Sequence, residues 1–256
     1  MKRVPLLALL CLLAACRLRE EAPIQGLRGA RFGDEWGSMK YRYYVPPQAD
    51  VDHRLPLVLY LHGDGMQGRG NKKHVDARVT RWVDNQDAHP CFVLAPQLPR
   101  GAWVNADITF GSYTFEEAAI TESMRLVIDL VSLFVKHYPI DRNRVYVVGT
   151  SLGGFATWDL LMRKPEGIAA AVPIEGAGDP KQAARIANVP IWAFHGALDH
   201  VVPVSGSRAM IEALRAAGGA PKYTEYPDVD HDSGPRVFAP ATGLDDWLFA
   251  QRRPLR

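Results

Sequence analysis

Gly149-Thr150-Ser151-Leu152-Gly153-Gly154 is the segment of this chain best able to do covalent chemistry. It follows the β-branched apolar run Val145 to Val148 and precedes residues with helical spacing. A G-x-S-x-G between strand and helix is a nucleophile elbow: glycines remove Cβ atoms that would collide in so sharp a turn, and the serine hydroxyl is lifted above the sheet edge. Ser151 is a weak nucleophile until a base takes its proton, and that base is normally a histidine oriented by a carboxylate.

The partners are expected downstream, on loops at strand ends. Asp199 follows the apolar run Ile191 to Phe194 and a short turn, and is taken as the acid. Glu175, just after Ile174, is its competitor. His231 follows the last strand-like segment and is taken as the base. His200 is too close in sequence to fold back onto Asp199, and His195 is read as shaping its own turn. His53, His74, His89 and His137 read as surface or helix-end residues. A metal reading of Asp228, Asp230, His231 and Asp232 is set aside, because no second histidine cluster supports it and H-E-x-x-H is absent. No cofactor is expected. The acids crowded around His231 should favour its charged form, so activity should fall at acidic pH.

A tetrahedral oxyanion needs preorganised donors. One is expected from the backbone N–H of Leu152, the residue after the nucleophile. The other is expected from Leu61-His62-Gly63-Asp64-Gly65-Met66, with the Asp64 N–H as first choice and Gly65 as alternative donor and substrate contact. His62 braces this loop. Segment 98–113, with Trp103, Asn105, Phe110 and Tyr113, is the expected pocket wall, and Trp103 is taken with Gly65 as a substrate contact.

These residues need a scaffold of strands alternating with helices. Tyr41 to Val45 alternates and ends at Pro46-Pro47, as an edge strand with a stop would. Leu57 to Leu61, Cys91 to Ala95, Arg144 to Val148 and Ala169 to Ile174 read as strands, several of them continuous apolar runs as in a sheet covered on both faces. Pro190 to Phe194 and Lys222 to Tyr226 complete the set. Thr114 and Glu117 offer a capping box for a helix from Phe115 to His137. Further helices are expected over 205–217 and 244–251. The pattern is α/β: a mainly parallel central sheet flanked by helices, without a large lid.

The residues now resemble a known group. Leu61 to Gly65, Ala95-Pro96-Gln97 followed by Trp103, Asp141 to Tyr146 before the elbow, Phe194 to Asp199 with Val202-Pro203, and Tyr223 to Pro227 before His231-Asp232 are similar to α/β-hydrolases. The branch is the dienelactone-hydrolase-like and polyhydroxybutyrate-depolymerase-like serine esterases, often labelled predicted peptidases for their similarity to prolyl oligopeptidase catalytic domains. The resemblance runs from about Tyr41 to Arg253. It implies acyl-ester hydrolysis of small or soluble esters, including acyl groups on plant polysaccharide. A peptidase, a polymer depolymerase and a non-catalytic lipoprotein on the same fold are the competing readings. Relatives commonly carry an aromatic where this chain has Gly234, and dienelactone hydrolases proper use cysteine at the elbow.

Length and charge set the remaining bounds. The chain has 256 residues, is 47% hydrophobic and carries a formal charge of +2, so one large domain is expected and a nucleic-acid footprint is not. Arg252, Arg253 and Arg256 read as a solvated tail. Lys2-Arg3, the apolar stretch Val4 to Ala15 and Cys16 resemble a bacterial lipoprotein signal, cut before a lipidated Cys16. The expected organisation is a signal over 1–15, a tether and lead-in over 16–37 and a catalytic domain over 38–256. Arg17 rather than Asp after the cysteine implies, by that resemblance, an outer-membrane anchor. Cys91 opens an apolar run and reads as a small buried hydrophobe.

Overall fold

The computed structural model of the chain describes residues 21–107 and 112–254, so the signal segment, Cys16 and Phe110 lie outside the described residues. Nine strands form one sheet in the order β1-β2-β3-β5-β4-β6-β7-β8-β9. They are β1 (Glu21–Ile24), β2 (Leu27–Gly33), β3 (Ser38–Tyr44), β4 (Leu55–Leu61), β5 (Phe92–Gln97), β6 (Ile140–Thr150), β7 (Ala170–Ile174), β8 (Trp192–Gly196) and β9 (Lys222–Tyr226). The pairs from β5 through β4 to β9 are parallel, and β1, β2 and β3 add an antiparallel flank.

Helices cover both faces: α1 (Ala77–Asp84), α2 (Glu122–His137), α3 (Leu152–Arg163), α4 (Ala183–Ile186), α5 (Val204–Ala216), α6 (Gly234–Val237) and α7 (Leu244–Ala250). Strand β4 shows why its sequence is an unbroken apolar run. Leu57, Leu59 and Leu61 point into the core shared with α2 and α3, while Val58 and Tyr60 point into the second core with Trp82 of α1 and Leu248 of α7. Side chains alternate across the sheet, and both faces are dry.

The expectations need correction in four places. Residues 21–33 are not tether but β1 and β2, which carry Gly and Arg at positions where strands usually hold β-branched residues. They cover β3, which is therefore internal rather than an edge. Helix α2 begins at Glu122, seven residues later than the Thr114 box predicts. Thr121 caps it instead: its hydroxyl accepts the Met124 N–H at 3.0 Å and donates to the Trp103 carbonyl at 2.6 Å. Arg252 is not free, because its guanidinium pairs with Asp141 at 2.7 Å. Helix α1, capped by Asp76, was not anticipated at all. Among the described residues no helix is long and apolar enough to cross a membrane.

Candidate active site

Four consecutive parallel strands end beside one another and deliver four polar side chains to one rim. Ser151 follows β6, Glu175 follows β7, Asp199 follows β8 and His231 follows β9. Ligand sites of open α/β sheets lie at such carboxyl ends. On the other side of β6, β4 ends at Leu61 and leads into the His62–Gly65 loop.

The elbow is held by close backbone contact. A Cβ on Gly153 would lie 1.8 Å from the Leu61 carbonyl oxygen, and one on Gly149 would lie 2.1 Å from the Gly153 carbonyl oxygen. Ser151 itself sits at φ 55°, ψ −117°, a strained backbone for a residue with a side chain. Its N–H donates to Ile174 at 2.9 Å, and its carbonyl accepts Phe155 N–H at 3.1 Å, which starts α3.

Three side chains sought in the sequence then meet. His231 Nε2 lies 2.9 Å from Ser151 Oγ, and His231 Nδ1 lies 2.8 Å from Asp199 Oδ2. Asp199 is shielded from solvent, whereas a quarter of the His231 side chain is exposed. The other carboxylate oxygen of Asp199 accepts the Val201 and Val202 N–H groups at 2.9 and 2.8 Å. Burial alone would push the Asp199 carboxyl up, but hydrogen bonds from His195, His231 and the Val202 N–H outweigh it and hold the group well below the usual carboxylate range. His231 moves the other way. Burial works against its imidazolium, but the hydrogen bond to Asp199 and the charges of Asp199, Glu175 and Asp230 prevail and raise its proton affinity.

The His62–Gly65 loop is built differently. His62 is buried, its Nδ1 2.7 Å from the Gly63 carbonyl, and its Nε2 accepts Leu98 N–H at 3.0 Å. Those partners fix the neutral tautomer with hydrogen on Nδ1. Burial pulls the His62 pKa down to about 4, in keeping with that form. Because a trans peptide points its N–H opposite its carbonyl, anchoring Gly63 C=O on His62 turns the Asp64 N–H the other way. Gly63 lies so near the elbow that a Cβ there would be 3.2 Å from Ser151 Cβ. Leu152 opens the first turn of α3, the end of the helix that the backbone dipole makes positive.

Trp103 does not line a pocket. It is 0% exposed, and its indole Nε1 donates to the His62 carbonyl at 3.0 Å. Burial of that large apolar ring beneath the loop outcompetes an exposed place in the wall. Tyr113 is also tied down, its hydroxyl donating to Asp159 at 2.9 Å. Gly65 is exposed at φ 77°, and Asn105 is exposed. His74 is fully buried rather than on the surface, with Nε2 3.0 Å from the Ala95 carbonyl and its ring beside His62. His200 pairs with Asp230 at 2.7 Å. His195 is more than the turn residue its sequence suggests, for its Nε2 lies 3.1 Å from Asp199 Oδ2. Its position four residues before Asp199 was the available signal. Among the described residues no cluster of His, Cys, Asp and Glu could hold a metal ion. Cys91 is buried and its thiol is pushed up to about 12.

With this geometry in place, the sequence model of the phospholipase/carboxylesterase family matches residues 48–242. The chain belongs to that family. A solved thermostable esterase is 33% identical to this carboxylesterase-family chain, with a TM-score of 0.77 over 90% of the chain and 64% of the esterase. Poly(3-hydroxyalkanoate) depolymerase C of Paucimonas lemoignei is 27% identical over 215 residues, 83% of this chain and 48% of the relative. The bifunctional acetylxylan esterase/xylanase of Neocallimastix patriciarum is 26% identical over 189 residues, 72% of this chain and 26% of the relative. The family member described here thus spans about half or less of those two curated relatives. The acylaminoacyl peptidase of Pyrococcus horikoshii shares the fold, at a TM-score of 0.67 and 12% identity.

Proposed function

We propose that this chain is a serine carboxylic-ester hydrolase that works through an acyl-enzyme. The observation that carries the reading is the unbroken hydrogen-bond line Ser151–His231–Asp199 beside the Leu152 and Asp64 amides. Ser151 Oγ attacks the ester carbonyl while its proton passes to His231 Nε2. The carbonyl π pair moves onto oxygen, facing the two N–H groups. Collapse expels the alcohol, which takes the proton from His231, and leaves the acyl group on Ser151. Water then attacks with the same proton path and releases the acid. No cofactor enters this sequence. Wild-type protein should turn over p-nitrophenyl acetate and Ser151→Ala should not; equal turnover by both would discard the reading.

We infer small or soluble esters as substrates, including acyl groups on plant polysaccharide. The acetylxylan esterase likeness supports the second class. So does the rim itself. The β2–β3 turn stands at the carboxyl end of β5, since Lys40 pairs with Gln97 and the turn lies beyond Ser38. It holds Trp36 73% exposed. Asp34 pins that turn by accepting the Trp36 and Gly37 N–H groups and pairing with Arg125 at 2.5 Å. An indole held out to solvent on a fixed turn suits stacking on a sugar ring. Trp36→Ala should raise KM for acetylated xylan several-fold and leave p-nitrophenyl acetate unaffected; an unchanged KM for xylan removes that support.

Lipidation of Cys16 and anchoring in the outer membrane are part of the same proposal, supported by the sequence pattern alone. Metabolic palmitate labelling that survives Cys16→Ala would end it.

A further inference from the structure

Glu175 is the polar group on the rim that the reaction above leaves unused. Its backbone φ is 52°, in the left-handed region that glutamate rarely enters. Its side chain is 4% exposed, and among the described residues it makes no salt bridge. The carboxylate instead accepts the backbone N–H of Ser233, 58 residues later and two residues past the catalytic histidine. Its own N–H is fixed on the Phe194 carbonyl at 2.9 Å, and its neighbour Ile174 holds the Ser151 N–H at 2.9 Å. Ile174 and Glu175 together therefore tie the nucleophile's turn, the strand that carries Asp199 and the loop that carries His231.

A clamp on an amide needs only a neutral acceptor, and a buried carboxylate is a costly way to supply one. The charge matters because of what it faces. His231 is faced by Asp199 from the loop after β8, by Glu175 from the end of β7, and by Asp230 within its own loop. Asp230 is also in contact with His200 at 2.7 Å, and Asp199 with His195 at 3.1 Å. Asp232 is turned to Arg78 at 3.4 Å. Glu175 in turn is faced by Ser233, His231 and Asp199.

We propose that Glu175 is a positioning residue for hydrolysis: it clamps the His231 loop through the Ser233 amide and sets a second negative charge behind the imidazole. The proposal rests on the serine-hydrolase reading. When Ser151 attacks and its proton reaches Nε2, the new positive charge lies before two carboxylates rather than one. Burial pushes the Glu175 carboxyl above the ordinary glutamate range, although Ser233 and His231 pull it down, and its charge is felt at His231.

Glu175→Gln keeps an oxygen for the Ser233 amide and removes the charge. The acid limb of kcat/KM for p-nitrophenyl acetate should move down by about half a pH unit, roughly threefold more activity on that limb relative to the plateau. The alkaline plateau should stay within about threefold of wild type. Glu175→Ala loses the clamp as well, and its plateau should fall about tenfold with KM unchanged. A Glu175→Gln limb that superimposes on wild type overturns the proposal. An NMR titration of His231 in full-length Ser151→Ala protein needs neither turnover nor a Glu175 variant. It should show, below the main step, a second inflection above the ordinary glutamate pKa of 4.5; a single-step curve contradicts the proposal. Absence of esterase activity in wild type would sink the hydrolase reading and leave this titration interpretable.

Discussion

His62 and His231 flank the same serine, and burial is imposed on both, yet they end in opposite protonation regimes. His62 has a carbonyl on one nitrogen and an amide N–H on the other, with no carboxylate bonded to it. Desolvation therefore wins and the ring stays neutral, pulled down to about 4. His231 is half-buried and has Asp199 on Nδ1, with Glu175 and Asp230 near. There the anions win and the ring binds protons more readily than usual. Burial alone does not decide what a histidine does; the partner on its second nitrogen does. The first ring is held as a neutral brace, and the second is poised as the base that the proposed reaction needs.

Breaking the base side should cost most. Asp199→Asn removes the charge and mis-sets the tautomer of His231, so kcat should fall by about 10⁴-fold with p-nitrophenyl acetate. A fall below tenfold would mean that Glu175 substitutes for it. Breaking the brace should cost less. His62→Ala frees the Gly63–Asp64 peptide, and kcat should drop by about 10²-fold with little change in KM. The same change leaves Leu98 N–H unpaired and should lower unfolding stability by about 1–3 kcal/mol in urea melts.

Acid sharpens the comparison, because the two rings respond to pH with opposite sign. His231 has a raised pKa, so kcat/KM should fall as pH drops through a midpoint above the ordinary 6.5. Its contribution to stability is full below its unfolded pKa and is lost as pH rises through the folded one. His62 has a lowered pKa, so its contribution is present above 6.5 and is lost as pH falls toward about 4. Between pH 6.5 and 5 that loss is about 1.6 kcal/mol, and His62→Ala protein should lack this component. The smallest effect is expected from Trp103→Phe, which keeps most of the buried ring but removes the hydrogen bond to the His62 carbonyl. We expect about 1 kcal/mol of stability and a few-fold in kcat. A large rise in KM would instead return Trp103 to the pocket wall.

The contrast also explains what the sequence discloses. Strands β6 and β8 carry apolar runs that end beside Gly149, Gly153 and Gly196, where a Cβ would collide with backbone, and His231 follows the Tyr226-Pro227 stop of the polar strand β9, so Ser151, Asp199 and His231 are readable from order and type. The flank is not readable in that way. Glu21–Gly33 carries Arg28, Gly29 and Arg31 where a strand signal needs β-branched residues, and only pairing with β3 makes it a strand. Trp103 looks like a ligand contact because aromatics on loops often are, but its fate depends on a carbonyl 41 residues away. Thr114 has the fuller local cap, with Glu117 three residues on, but α2 starts after Thr121, whose hydroxyl also reaches the distant Trp103 carbonyl. Glu175 was visible as a carboxylate at a strand end, but its tie to Ser233 is a long-range contact that no local pattern encodes.

The central claim is that the Ser151 hydroxyl is activated by His231 and Asp199. Labelling with a fluorophosphonate at pH 8, followed by peptide mass spectrometry, tests it most directly. One phosphonyl adduct is expected, on Ser151, formed at least about 10³-fold more slowly in Asp199→Asn protein. Absence of the adduct in wild type, or an equal labelling rate without Asp199, would contradict it.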